Sequence, residues 1–596
     1  MYLYSLLLPR QQQWNIDEMY FRTDTDEFVT LRENCLDCKK GSIVSFDTYF
    51  NAFSIGKWKK YTLLNTLNIN IDFEGSFRLM LYDCRYQNKS VKKIKVFEKT
   101  ISSQSRCVET VQLSLDSLGD MLSFVLIGRK NSFFYGGFYS TDIDEEELGQ
   151  VNLAVTMCTY HREKYVERNL KVLTREVFEN SSSPLKEHLK IYIADNGQSL
   201  DAGRLSSDFV KIYPQPSYGG SGGFVRGILE LLRDKEHDRH THILLMDDDV
   251  TIEPQAFEKN YSFLRLIRSE FSDRQVGGAM LRMDRKMIQA EQSGIYKGYG
   301  IQSVKANIDL SDFANVVFNE IEEPHDYQAW FYACIPIKTY LQHGFSLPFF
   351  MKYDDVEYGL RLKPSITLNG IFVWHDGFEY KRNGIALYYT ERNKLIVHAL
   401  YKRTSLARIL LEECRQICAH IALARYRFAE MELMAVQDFC KGPLWLLHSD
   451  ARRKYEQLSA MDYKYVHVSP KQKKQFKQIG RLRQMKPCGK QMKYRWRPKE
   501  ELVVSDTDAK SIAVCMAKRI IYFNRFSNSK YEIDRDLRRA MMLVGKTMRV
   551  MLSFLKNYRW IQRQYGERYE EMCSEKLWRD YLNSDVTGNG SYKYRV

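Results

Sequence analysis

No run in this chain reaches the ~18–20 consecutive apolar residues that a bilayer-spanning helix needs, so any membrane contact is expected to be peripheral. The opening MYLYSLLLPRQQQW is apolar only briefly and has no basic leader, which predicts neither a signal peptide nor an anchor. Cysteine is also sparse: twelve are scattered over 596 residues without a dense framework, the pattern of free thiols in a reducing compartment, and a cytoplasmic setting is the expectation. Cys35 and Cys38 have metal-knuckle spacing, yet no second Cys-x-x-Cys follows, and Cys414 with Cys418 is a helical i, i+4 pair, so all four read as ordinary thiols. A Walker loop and a proper Gly-x-Gly-x-x-Gly fingerprint are both missing, which removes the most direct nucleotide-binding signatures.

What is present is apolar and basic. A hydrophobic content of 44% with 13% aromatics predicts packed domains, two to four of them at this length. The formal charge of +15 is uneven: residues 461–500 are crowded with Lys and Arg and could meet phospholipid head groups, a nucleotide-linked substrate or nucleic acid, or form a solvated loop.

Three regimes follow one another, giving a multidomain α/β chain. Residues 1–148 show short alternating runs such as SIVSFDTYFNAF and SFRLMLYDCRY, which predict an N-terminal β-sandwich, jelly-roll-like. Its aromatics, Tyr49, Phe50, Phe53 and Trp58 among them, suit a packed core better than a sugar site. Residues 149–400 alternate strand and helix, predicting a mostly parallel sheet covered on both faces. Residues 401–596 carry apolar positions at three- and four-residue spacing in SLARILLEECRQICAHIALARYRFAEMELMAVQDF, DAKSIAVCMAKRIIYFN and DRDLRRAMMLVGKTMRVMLSFLKNYRWIQRQY, predicting a C-terminal helical domain before a loose tail.

The chemistry gathers at strand ends of the middle regime. In HILLMDDDVTIEP, a short buried strand delivers Asp247, Asp248 and Asp249 to its carboxyl end, where like charges call for a cation. Alternation lets Asp247 and Asp249 converge while Asp248 points elsewhere; helix capping near EPQAF would explain one or two acids but hardly three. CTYHRE places Arg162 where it could pair with a diphosphate, and ADNG places Asp195 where it could accept from a base or ribose hydroxyl. Gly219, Gly220, Gly222 and Gly223 lead into a helix and either admit a ligand to the backbone or form a flexible turn. Farther on come Asp354 and Asp355, with Glu357 close by, and then His375, which with Asp247 and Asp249 would give oxygen and nitrogen ligands suited to Mn²⁺ or Mg²⁺. Trp330, Phe331 and Tyr332 could stack on a sugar or fill the core.

TYFNAF, KWKKYT, CTYHRE, GGSGGF, MDDDV, AWFYACIP, KYDDVEYGLR, WHD and YYTERN lie in this order over roughly the first 400 residues. That ordered set resembles the family-two glycosyltransferases of GT-A fold, in particular the polymerising galactofuranosyltransferases of bacterial galactan synthesis. The resemblance implies a central GT-A domain with Asp247, Asp249 and His375 as metal ligands, Asp355 as the general base and Asp354 orienting the acceptor. It implies a donor wall from Arg162, Asp195, Asp248, Ser217 and the Gly219–Gly223 segment, and an acceptor side from Trp330, Phe331 and Tyr353. The implied reaction is inverting transfer from UDP-galactofuranose to a glycan or lipid-linked acceptor by a homo-oligomer at the inner face of the membrane. Ser217 and Tyr353 depart from the family's usual Asn and Trp, which bears on sugar and linkage more than on reaction class.

Rival readings fit less of the sequence. A nucleic-acid-binding protein would use Tyr494 and Trp496 among the basic residues but leaves the acidic clusters without purpose, so no nucleic acid partner is expected. A glycan-binding scaffold with a degenerate catalytic domain predicts lost ligands, and none is lost. A sugar-phosphate nucleotidyltransferase is the nearest enzymatic rival, since it too pairs a nucleotide with a divalent ion, but it gives no reason for AWFYACIP followed by YDD; a transferase using another UDP-hexose is a further alternative.

Overall fold

The computed structural model describes residues 1–9, 16–33, 35–234, 239–381, 383–470, 472, 501–506, 514–515 and 517–583. Most of the basic segment (471 and 473–500, with Tyr494 and Trp496) and the tail at 584–596 lie outside them.

The N-terminal region is built on one long hairpin, Thr66–Gln87 with Ser90–Ser114, closed by Asn88 and Lys89, both at positive φ as a tight two-residue hairpin turn requires. The other edge of Thr66–Gln87 serves two partners: Asn68–Glu74 pair with Ser132–Ser140, and Phe77–Cys84 pair with Met121–Gly128. Gly75, at φ +107°, stands where the partner changes, so a single bent strand supplies both. The antiparallel strands read from the sequence are present, but hydrogen bonding runs through this shared strand to link nine of them, not two separately bonded sheets.

The central sheet also has nine strands. Val210–Pro214, Leu189–Asp195, Leu153–Thr159 and His242–Leu245 lie side by side and parallel. Ala333–Pro336 then runs antiparallel between His242–Leu245 and Val276–Arg282, and Ile366–His375 pairs in parallel with the latter. The sheet is therefore mixed. Strand order reverses between Leu153–Thr159 and His242–Leu245, and open α/β sheets bind their ligands beyond the carboxyl ends at such a point.

The two regions share packing. Phe50 lies 5.2 Å from Phe372 and 6.2 Å, edge-on, from Trp374, so the TYFNAF segment backs the strand that ends in His375. Lys57 pairs with Glu320 at 3.1 Å and donates to the Thr367 carbonyl, a buried polar link across the same contact. Tyr49, Phe50, Phe53 and Trp58 are fully buried, as core residues.

The C-terminal region is mainly helical. Gly384–Tyr401 runs across residue 400, followed by Leu406–Ala422, Tyr426–Phe439, Gly442–His448, Ala451–Met461 and the 31-residue helix Leu537–Glu567. One expectation fails: within DAKSIAVCMAKRIIYFN, Arg519–Asn524 is a strand of a small four-stranded sheet, not a helix. Ile520–Asn524 are buried without interruption, so the segment has no polar face to give helix and strand different periods. At the far end, helix Glu575–Asn583 returns to the central region, where Trp578 Nε1 donates to the Ser346 carbonyl at 2.8 Å. No helix among the described residues is long and apolar enough to cross a membrane.

Candidate active site

Asp247–Asp249 follow directly on the strand His242–Leu245, beside the strand-order reversal. Asp247, Asp249 and His375 converge, each offering a ligand atom, all within 4.8 Å of one another. His375 Nε2 is 3.1 Å from Asp249 Oδ1 and 3.9 Å from Asp247 Oδ2, while its Nδ1 faces the Asp376 carbonyl at 2.6 Å. A carbonyl can only accept, so Nδ1 carries the proton; Nε2 is the ring atom turned to the two carboxylates, and with an ion bound among them it would offer that ion its lone pair. Two carboxylates and one imidazole nitrogen suit a divalent ion with oxygen preference. The helix Pro254–Leu266 starts at proline with Glu253 as its N-cap, so the aspartates are not used for capping.

Arg162 closes the other side, with Nη1 2.6 Å from Asp249 Oδ2 and 3.0 Å from Asp248 Oδ1. Asp248 points inward; burial pushes its carboxyl up to about 6 against the opposing pull of Arg162.

The second acidic group begins the helix Asp354–Gly359. Asp354 accepts from Ser221 Oγ at 2.9 Å, and Asp355 accepts from the Val356 amide at 2.8 Å. Burial raises both carboxyls, and the neighbouring Asp354 charge raises Asp355 further. Glu357 is occupied elsewhere: it pairs with Arg361 and accepts from Tyr401 and Tyr569 hydroxyls at 2.9 and 2.8 Å, which makes it a buried strut.

The glycines are filled in by protein. A Cβ on Gly219 would stand 2.0 Å from the Phe350 carbonyl oxygen, and one on Gly223 2.1 Å from Cys158 Sγ. Gly222 abuts Tyr218, and only Gly220 looks toward Asp354, at 3.8 Å from its Oδ2. These residues let the helix Gly219–Arg233 lie against the strand Leu153–Thr159 and the acidic loop, so neither ligand approach nor a flexible turn describes most of them. Ser217 is half-buried just before that helix.

Asp195 is buried and its carboxylate accepts three backbone amides, from Gly197, Ser199 and Leu200 at 2.7 to 3.0 Å. In this structure it shapes the loop. Trp330 and Phe331 are buried too: Trp330 packs on Phe224 at 5.4 Å and Tyr358 at 6.0 Å, the core alternative that the sequence left open. Tyr353 is buried edge-on to Tyr296.

Two residues went unnoticed in the sequence. Asn196 donates to the Gly219 carbonyl at 2.9 Å, tying the second strand to the glycine helix. Glu291 is a buried carboxylate whose charge is felt at both His375 and Asp355, one residue from each of the two groups. A lone Glu in MIQAEQSG carries no local signal of that position; only pairing of Val276–Arg282 with Ile288–Glu291 brings it in.

A cavity of about 300 Å³, lined by Lys57, Arg274, Glu322 and His325, opens at the amino end of Ile366–His375, away from these acids.

Comparison with known proteins bears on the same regions. Residues 3–142 match the family described as Galactofuranosyltransferase 2 N-terminal. The chain is 26% identical over 435 residues to Galactofuranosyltransferase GlfT2 of Mycolicibacterium smegmatis, covering 67% of this chain and 64% of that protein. It is also 26% identical over 438 residues to Galactofuranosyltransferase GlfT2 of Mycobacterium tuberculosis, covering 67% of this chain and 66% of that protein. It thus spans a little under two thirds of the length of both curated relatives. Among solved structures, the mannosyltransferase PcManGT from Pyrobaculum calidifontis in complex with GDP-Man and Mn²⁺ aligns at a TM-score of 0.27 and 12% identity, covering 54% of this chain and 87% of that one, too slight a likeness to carry an argument. The resemblance read in the ordered motifs therefore holds: along its N-terminal region and across two thirds of its length, this chain is similar to galactofuranosyltransferases.

Proposed function

We propose that the protein is an inverting, metal-dependent glycosyltransferase that moves galactofuranose from UDP-galactofuranose to a hydroxyl of a glycan acceptor. The observation that carries this reading is the convergence of Asp247, Asp249 and His375 within 4.8 Å beside the strand-order reversal, with the charge of Glu291 felt both there, at His375, and at Asp355 of the second acidic pair. The galactofuranosyl group comes from the relatives' name, its UDP carrier from the resemblance of the ordered motifs, and the chemistry from this chain's residues.

Asp247, Asp249 and His375 would hold a Mn²⁺ or Mg²⁺ ion, which when bound supplies positive charge against the departing diphosphate. Arg162 adds a guanidinium on the same side, suited to a diphosphate oxygen. Asp355 takes the acceptor hydroxyl's proton, so that the oxygen attacks the face opposite the leaving group and the configuration inverts in one displacement. Its raised affinity for protons fits this task, since a base works best when its pKa lies near the working pH. Asp354, fixed by Ser221, orients the acceptor.

We place the enzyme in the cytoplasm, peripheral on the inner face of the membrane, with a glycolipid-linked acceptor. Supporting this, the helix Leu537–Glu567 exposes Leu537, Met541, Met548, Leu552 and Trp560, with Arg538, Arg549, Lys556 and Arg559 exposed among them. The same face would serve a second copy in a homo-oligomer.

The test is UDP release by the purified protein with Mn²⁺ from UDP-galactofuranose, UDP-galactose and UDP-glucose, with a galactofuranosyl acceptor. Release from UDP-galactofuranose alone, lost in Asp355→Ala, supports transferase, donor and base together. Absence of metal-dependent release from every donor overturns the reading.

A further inference from the structure

The loop that delivers Asp354 and Asp355 is held in a conformation it would not adopt alone. Phe350, Lys352 and Tyr353 have φ of 70°, 67° and 66°, and none is glycine. Left-handed backbone at bulky residues persists only where the surroundings impose it, and such residues cluster at functional sites.

The restraint comes from one buried amide. Asn393 Nδ2 donates to the carbonyls of Phe349, Met351 and Lys352 at 3.2, 2.8 and 2.8 Å. Its Oδ1 accepts from Arg392 Nε at 2.9 Å, which fixes which end of the amide faces the loop. Arg392 adds a bond of its own, from Nη2 to the Phe349 carbonyl at 2.7 Å. The remaining carbonyl, that of Phe350, turns the opposite way and accepts the Ser221 amide at 3.3 Å; the same Ser221 holds Asp354 through its hydroxyl. Both sides of the turn are thus bonded, and Asn393 is fully buried.

We propose that Asn393, oriented by Arg392, is a positioning residue that sets the left-handed turn at Phe350–Tyr353 and through it the placement of the Asp354–Asp355 carboxylates against the acceptor. The proposal rests on the reading of Asp355 as the base. The requirement is chemical. Reaching three carbonyls on a tight turn takes an NH₂ group at this distance, its two N–H bonds serving three acceptors by sharing one of them; leucine of similar shape offers no donor, and glutamine keeps the group but moves it by one methylene. The charges of Asp354, Lys352 and Glu291 act on the Asp355 carboxyl, so a displaced turn changes its electrostatic surroundings and not only its distance from substrate.

The experiment compares wild type with Asn393→Leu, Asn393→Gln and Arg392→Lys, following UDP release with UDP-galactofuranose and acceptor across pH, and Mn²⁺ binding by electron paramagnetic resonance. We expect Asn393→Leu to lower kcat at least about tenfold and move the acid limb of the pH profile, with Mn²⁺ affinity unchanged. Asn393→Gln should recover part of the loss, and Arg392→Lys should show the same signature more weakly. A kcat and acid limb equal to wild type in folded Asn393→Leu would overturn the proposal, as would parallel loss of Mn²⁺ affinity, which marks general damage. If Asn393→Leu does not fold, Arg392→Lys and Asn393→Gln carry the same criteria.

A second readout needs no turnover, so failure of the transferase reading is told apart from failure of this one. The difference in melting temperature between Asp355→Asn and its parent, followed against pH, reports how Asp355 titrates. That curve should shift when the parent carries Asn393→Gln or Arg392→Lys; an unshifted curve overturns the positioning role even in a protein that releases no UDP.

Discussion

Thr251 and Trp374 exchange both backbone hydrogen bonds, at 2.7 and 2.9 Å, and this short bridge is what brings the aspartate triplet to His375. Thr251 lies two residues beyond Asp249, and Trp374 immediately precedes His375. The ligands are therefore held together by the main chain, with Phe50 packed edge-on against Trp374. Metal removal should leave the fold intact and stop transfer. His375→Ala is expected to weaken Mn²⁺ binding on the order of tenfold or more, read by calorimetry. An unfolding transition on adding EDTA, or undiminished Mn²⁺ affinity in the variant, would contradict this.

Asp355→Asn keeps the shape of the side chain and removes its basicity. The expected loss in kcat is on the order of 10²–10⁴-fold, the usual contribution of a general base, with the KM for the donor little changed. A variant that raises KM and spares kcat would assign Asp355 to binding.

Burial and the Asp354 charge hold the Asp355 carboxyl above its ordinary range. The folded protein thus binds this proton more tightly than the unfolded chain, whose carboxyl titrates near ~3.9. Ionising it costs stability as pH rises from there through the folded value. Asp355→Asn should melt above wild type at pH 8, with the gain shrinking toward pH 4. If Asp355 is the base, as proposed, its ionised form is the active one, and wild-type activity should fall on acidification at a pH above the ordinary carboxylate range. A difference in melting temperature that does not vary with pH would show the carboxyl to be unshifted.

Gly223→Ala would put a methyl 2.1 Å from Cys158 Sγ, at a contact between a helix and the first strand where neither backbone can retreat freely. We expect a loss of about 1–3 kcal/mol, typical of overpacking, measured by chemical denaturation. Gly219→Ala should cost more, because a side chain there also meets a φ of +70°. Wild-type stability in Gly219→Ala would mean that the loop at Phe350 yields easily.

Much of the site was legible because strand ends are legible. The apolar run before Asp247 and the one before His375 mark strands whose carboxyl ends share a rim, and alternation at the end of a strand separates Asp248 from its neighbours. The long periodic helix at Leu537–Glu567 was equally plain. IIYFN was not, because a segment buried all round has no periodicity to betray its state. The glycine run misled for a related reason: sequence shows that space is needed beside a backbone, not what fills it, and here it is Cys158, Tyr218 and the Phe350 carbonyl.

The sequence by itself determined the alternation of strand and helix before the aspartate triplet, the acidic clusters and the likeness to galactofuranosyltransferases, since these depend on residue type and local spacing. Tertiary structure alone decided that the charge of Glu291 is felt at both His375 and Asp355, that Asp195 and Glu357 spend their carboxylates on internal hydrogen bonds, and that Asn393 is bonded to the turn before Asp354. These residues lie far apart in the chain, and a polar side chain's role is set by which partners the fold brings within about 3 Å of it.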